Sequence, residues 1–151
     1  MSVTKFISKS PKSTHDIAYA LGVELKNAEL NNRQALCILL SGELGAGKTA
    51  FTQGLVLGLG YRGNVHSPTF VLMKKYSIKT LYFKNLWHID CYRIKNVQEL
   101  LTLKIKEILK DSNNIVVIEW PEKIKKYIPK YPIRISFEHH SPETRVIKIS
   151  E

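Results

Sequence analysis

Apolar residues recur along this chain with two periods, and the switches between them predict alternating strands and helices. Val3 to Ser8 alternates as a short strand does. Ser10-Pro11 or Ser13-Thr14 then offers a cap for a helix carrying Ile17, Ala18, Leu21 and Leu25. The apolar run within residues 35–41 predicts a buried strand, and from Lys48 to about Leu59 the spacing of Phe51, Leu55 and Leu59 predicts a helix, with Gly54 and Gly58 allowing close packing against the sheet. Residues 70–78 and 80–91 read as two strands joined by a tight connection, an antiparallel pair. A stripe of Val97, Leu100, Leu101, Ile105, Ile108 and Leu109 predicts a packing helix over 97–110. Asn114 to Ile118 is an apolar run of parallel-strand type, and Pro132 to Phe137 with Arg145 to Ser150 reads as a closing hairpin. A chain of 151 residues fits one domain, so the expectation is a single α/β domain over 1–151, with a mostly parallel central sheet, some antiparallel strands and flanking helices.

One junction in that pattern carries chemistry. Gly42-Glu43-Leu44-Gly45-Ala46-Gly47-Lys48-Thr49 reads G-x-x-x-x-G-K-[ST], after a strand and before a helix, where a phosphate-binding P-loop belongs. Its glycines let successive backbone N–H groups converge on phosphate oxygens at a helix N-terminus that already favours an anion. Lys48 adds a point charge there, and the Thr49 hydroxyl is placed to ligate Mg²⁺. This makes the expected fold P-loop NTPase-like. A second glycine pattern, Gly58-Leu59-Gly60-Tyr61-Arg62-Gly63, matches G-x-G-x-x-G but follows a helix, and is read as a helix stop and a turn.

Three further stretches bear on such a site. Val65-His66-Ser67-Pro68-Thr69-Phe70 is either an ordinary Ser-Pro turn or a loop whose Ser67 and Thr69 hydroxyls report a γ-phosphate. His88, Asp90 and Tyr92 share one strand face, and Asp90 reads as a carboxylate assisting phosphate-bound Mg²⁺ ahead of a structural ion pair with Arg93. Glu119 ends its apolar strand as the acid of a Walker B strand does, which predicts a place near Mg²⁺ or the attacking water. Trp120 beside it either stacks on an adenine edge or caps the core.

Composition adds two constraints. Twenty-three basic against 13 acidic residues give a net charge of +10, which suggests an acidic partner, nucleic acid included. Lys104, Lys106 and Lys110 on one helix, and Lys123, Lys125, Lys126 and Lys130 after the last parallel strand, are read as solvated surface ahead of an RNA footprint. Cys37 and Cys91 lack any metal spacing and read as reduced core thiols, and His139-His140 reads as loop. Met1 to Lys9 has no apolar signal segment and no run approaches about 18 apolar residues, so a cytoplasmic protein without membrane insertion is expected.

Four blocks together, Ser41 to Thr49, His66 to Phe70, His88 to Arg93 and Val117 to Glu122, resemble the TsaE (YjeE) family of bacterial P-loop ATPases in order and spacing across residues 35–122. The resemblance implies an ATPase supporting threonylcarbamoyladenosine synthesis on tRNA, docking on a TsaD–TsaB pair that performs the transfer, with tRNA met indirectly or weakly. Carried over by position, Gly42, Glu43, Leu44, Gly45, Ala46, Gly47, Lys48, Thr49 and Ala50 hold ATP, Thr49, Asp90 and Glu119 serve Mg²⁺ and the water, Lys48, Asp90 and Glu119 carry catalysis, and Ser67 to Phe70 responds to nucleotide. Trp120 lies near the nucleotide, with adenine contacts from Thr14 and Arg145. The basic stretch from Lys74 to Lys84 departs from the family pattern, as does the lysine-rich helix.

Two other readings stay open on the residues alone. A small-molecule kinase would share the P-loop but needs a lid with arginines, and only Arg62 and Arg93 fall in the central part of the chain. A basic RNA-binding module with a vestigial P-loop is the other. A GTPase is disfavoured because no N-K-x-D segment is present.

Overall fold

A computed structural model describes residues 2–151, and its elements run β1 (Val3–Ser8), α1 (Pro11–Asn27), β2 (Leu36–Ser41), α2 (Lys48–Gly58), β3 (Met73–Ser77), β4 (Asn85–Asp90), α3 (Gln98–Thr102), α4 (Ile105–Lys110), β5 (Asn114–Glu119), a kinked 3-10 segment (Pro121–Tyr127), β6 (Ile133–His139) and β7 (Arg145–Ser150). All seven strands join one sheet in the order β1-β7-β6-β2-β5-β4-β3. The middle four are parallel, and antiparallel neighbours close both edges. The expected mixed α/β sheet is what forms.

The side-chain alternation of β2 divides the core. Leu36, Ile38 and Leu40 point to the layer built by α1 and α2, while Cys37 and Leu39 point to the layer built by α3, α4 and the 3-10 segment. β5 does the same, with Ile115 and Val117 on the first face and Val116 and Ile118 on the second. Burial on both faces explains why these strands are apolar without interruption. Each such side chain contributes roughly 1.5–3 kcal/mol on burial, which makes the central strands the most costly part of the fold to disturb.

α1 and α2 meet along a seam of small residues. A Cβ on Gly22 would lie 2.5 Å from the Leu55 carbonyl oxygen, one on Gly54 would fall on the His15 carbonyl, and one on Gly58 on that of Tyr19. The glycines of α2 therefore admit α1 and not the sheet, which corrects the expectation from sequence. The reason is that Phe51, Leu55 and Leu59, all fully buried, occupy the sheet-facing side. Ser10 caps α1 by accepting from the Ser13 N–H, and Pro11 opens the helix.

Three other expectations change. The helix predicted over 97–110 is two short helices, broken where Lys104 takes φ 60. A continuous helix would set Lys104 in line with buried Leu100 and Ile108, and the break turns it outward while burying Ile105. The first predicted strand of the antiparallel pair loses Phe70 to Leu72 to a turn in which Leu72 has φ 64, and the tight connection is a longer loop that buries Phe83. The Gly58 to Gly63 pattern is a helix stop, with Gly60 at φ 94. Among the described residues no helix is long and apolar enough to cross a membrane.

Two outcomes follow. Gly54→Ala is expected to cost about 1–3 kcal/mol through overpacking of the seam, seen as a lower midpoint in urea unfolding; an unchanged midpoint would show that the helices do not meet there as described. Burial pushes the Cys37 and Cys91 thiols up to about 12 from an ordinary 9.0. Above pH 9 the unfolded chain sheds those protons while the folded chain keeps them, so stability should fall as pH rises, by about 1.4 kcal/mol per unit per thiol. Both thiols should resist a disulfide reagent at pH 8 until the protein is denatured, and labelling of the native protein at the denatured rate would contradict this.

Candidate functional site

The site grows from the C-terminal ends of the parallel strands. β2 runs into Gly42, the loop turns over Gly45 at φ 74, and α2 starts after Gly47 at φ 104, a left-handed conformation that strains any L residue. Lys48 is thus the first residue of α2, and it is only 6% exposed. Its Nζ donates to the carbonyls of Gly42, 2.6 Å, and Glu43, 2.8 Å, and stands 4.8 Å from the centroid of the Trp120 ring. Burial pulls the Lys48 pKa down, while the carboxylates of Glu119, Asp90 and Glu122 hold it up. Thr49 is exposed on the first turn of α2, with Ala50 beside it half-buried.

Strand register brings the acids together. Glu119 pairs with both Leu40 and Asp90, so the two carboxylates stand on adjacent strands, on the face that α2 covers. Each is 5% exposed. Asp90 accepts from the Thr69 hydroxyl at 3.0 Å and from the Tyr92 N–H at 2.9 Å. The Ser67 hydroxyl in turn lies 2.5 Å from that of Thr69, which leaves Ser67 the donor and joins Ser67, Thr69 and Asp90 in one chain. Arg93 is not the partner of Asp90: its guanidinium lies over the Phe70 ring at 4.7 Å, and Phe70 is 84% exposed.

Glu119 is held differently. His88 Nε2 is 2.8 Å from Glu119 Oε1, and His88 is 1% exposed. A carboxylate can only accept, so Nε2 carries the proton, and His88 Nδ1 is left buried without a partner. The face that His88 shares with Asp90 does not make a metal site of the pair: no group of three or more acid, His or Cys side chains among the described residues is arranged to hold a metal. His88 instead orients Glu119 across the strand pair. The signal was present, since His88 shares a face with Asp90, but the partner lies on another strand and only the register reveals it.

Lys123 was also read as surface. Its Nζ donates to the carbonyls of Tyr92 and Ile94, at 3.0 Å for Ile94, and so ties the segment after β5 to the segment after β4. Trp120 sits at φ 55 with its ring against Tyr92, 5.2 Å between centroids. It lies over Lys48 and does not line the cleft on the other side of the loop. That cleft, about 470 Å³, is bounded by Thr14, Gly45, Ala46, Gly47, Glu143 and Arg145. Thr14 reaches it because the α1–α2 seam brings the first turn of α1 onto Gly47, and Ser8 fixes its hydroxyl at 2.7 Å. Arg145 donates to the carbonyls of Ser141, Pro142 and Thr144 within its own turn.

Strand, glycine loop, helix and acids stand to one another as in P-loop NTPase-like proteins, and fold and site together put this protein in that class. Comparison with known proteins narrows it. The family profile described as threonylcarbamoyl adenosine biosynthesis protein TsaE matches residues 8–147. The chain is 34% identical over 143 residues to the tRNA threonylcarbamoyladenosine biosynthesis protein TsaE of Rickettsia typhi, covering 94% of this chain and 91% of the relative. It is 32% identical over 123 residues to the protein of that name from Haemophilus influenzae (82% and 75% covered), and 30% identical over 147 residues to that of Bacillus subtilis (97% and 85%). The crystal structure of Bacillus subtilis YdiB superposes with a TM-score of 0.72 at 24% identity over 98% of this chain and 84% of that one, which speaks for the fold. The chain belongs to the TsaE family of tRNA threonylcarbamoyladenosine biosynthesis.

The His88–Glu119 contact yields a direct test. His88→Phe leaves a buried carboxylate short of a donor and should destabilise the protein by about 1–3 kcal/mol, and adding Glu119→Leu should recover part of that. A single variant as stable as the parent in urea would show that the contact does not form.

Proposed function

We propose that this protein binds ATP at Gly42 to Ala50 and hydrolyses it slowly, and that this cycle acts on a TsaD–TsaB complex during threonylcarbamoyladenosine modification of tRNA in the cytoplasm. The observation that carries the proposal is the convergence of Lys48, Asp90 and Glu119: one buried ammonium and two buried carboxylates at the mouth of a glycine loop. A small-molecule kinase would add arginines over the phosphates. Among the described residues Arg93 is engaged with Phe70 and Arg62 is exposed in the loop after α2.

The donor set suits Mg²⁺. Thr49, Asp90 and Glu119 offer hard oxygens, too few for an all-protein cage, which is how Mg²⁺ is usually held when substrate phosphates complete its shell. When bound it would neutralise charge developing on the phosphates. The loop N–H groups and Lys48 would hold the β- and γ-phosphates, and to do so Lys48 must exchange its two carbonyl acceptors for phosphate oxygens. Glu119, oriented by His88, would accept the proton of the attacking water. Asp90 would serve the metal, and its bond to Thr69 makes the Ser67 to Phe70 loop sensitive to whether a γ-phosphate is present. Thr14 and Arg145 line the cleft where the nucleoside would extend, and Trp120 would act at the phosphate end.

Calorimetric ATP titration together with hydrolysis rates tests this reading. Lys48→Ala should lose roughly 10- to 100-fold in affinity through the missing charged hydrogen bonds. Glu119→Gln should bind normally and hydrolyse at least about 100-fold more slowly, as expected for removal of a general base. Normal hydrolysis by Glu119→Gln would remove Glu119 from the water-activating role.

A further inference from the structure

The end of the sheet opposite the glycine loop carries its own charged groove. The parallel strands begin there, and the length of β2, roughly 20 Å at about 3.3 Å per residue, separates it from Lys48. A groove of about 440 Å³ is lined by Gln34, Lys106, Lys110, Lys126, Tyr127 and Lys130, with no acidic side chain. A second groove shares Gln34, Pro129 and Lys130 with it and adds Arg33 and Tyr131, which is 89% exposed.

The four lysines are not neutralised. Among the described residues none of them enters an ion pair. Glu107 of α4 and Asp111 just after it line a different groove with Lys75 and Lys104. Tyr127 gathers charge instead of dispersing it, since Lys106 Nζ and Lys126 Nζ lie 5.3 and 5.0 Å from its ring centroid. Two ammonium groups held on one ring, with two more along the same groove, repel one another, and a row of anions removes that cost. The donors are lysines with flexible stems, which suits phosphates spaced along a backbone better than one bidentate group.

We infer that this groove binds the phosphate backbone of RNA, without reading sequence, and that it does so independently of the nucleotide site. In a family acting on tRNA, such a surface would bring the protein to its substrate from the face away from the ATP cleft. Tyr127 serves as a platform for the lysines more than for bases.

The test is fluorescence anisotropy with a labelled, unmodified tRNA transcript, titrated at several salt concentrations between about 50 and 200 mM. Replacing Lys106, Lys110, Lys126 and Lys130 by Gln should weaken binding at least about tenfold and reduce the salt slope by roughly one per lysine removed. Lys5, Lys74, Lys79 and Lys84 replaced by Gln carry the same change in net charge and should shift affinity less than about twofold. The double variant Lys110→Gln, Lys130→Gln leaves both contacts to Tyr127 intact and carries the test if the fourfold variant does not fold. Lys48→Ala should bind RNA as the parent does, so this inference and the ATP reading fail separately. Equal weakening by the two fourfold variants, no binding by the parent, or tighter binding to polyglutamate than to RNA would each overturn the assignment.

Discussion

A buried ammonium has to be compensated, and much of the upper edge of this sheet exists to compensate Lys48. The helix that begins at this residue cannot move it outward, because Phe51, Leu55 and Leu59 anchor α2 to the sheet and Gly54 and Gly58 lock it to α1. Two loop carbonyls, the face of Trp120 and the fields of Glu119 and Asp90 offset the loss of hydration. Those acids are in turn available only because the parallel register places their strands' ends in one row. Each is satisfied by a neighbour of its own, His88 for Glu119 and Thr69 for Asp90. The result is a site whose groups are paired with one another, and the proposed binding of phosphate would require them to change partners.

That pairing links the acids to the Ser67 to Phe70 loop. Asp90 holds Thr69, Thr69 holds Ser67, and Phe70 at the end of the same loop stands exposed against Arg93. Any demand on Asp90 is felt along this loop, so the proposed nucleotide cycle has a short mechanical path to the surface. Lys123 ties the segments after β4 and β5 beside it.

What the sequence revealed divides along physical lines. The glycine loop and its strand and helix were legible because their chemistry is local: the spacing from Gly42 to Thr49 states its own geometry. Uninterrupted apolar runs likewise announced β2 and β5, since strands buried on both faces have no polar side. Four features were not legible, and three of them depend on residues far apart in the chain. His88 was known only to share a face with Asp90 until register placed Glu119 across from it. The glycines of α2 looked made for the sheet until α1 was seen lying on them. The helix over 97–110 kept its apolar stripe, but Lys104 in that stripe could not be buried and the backbone broke instead. Lys123 looked like one lysine of a cluster, and only the fold shows that it donates to two carbonyls while, among the described residues, Lys126 and Lys130 enter no ion pair.

The account stands on nucleotide turnover at Lys48 that a partner can accelerate: among the described residues Arg93 is engaged with Phe70 and Arg145 with the carbonyls of its own turn, and slow intrinsic hydrolysis is expected without an arginine over the phosphates. Release of ADP from Mg²⁺-ATP, measured with the protein alone and with TsaD–TsaB added, and with Lys48→Ala as the blank, tests it most directly. Slow lysine-dependent release that rises with the partner is the predicted result. Equal rates with and without the partner, or release that survives in Lys48→Ala, would contradict it.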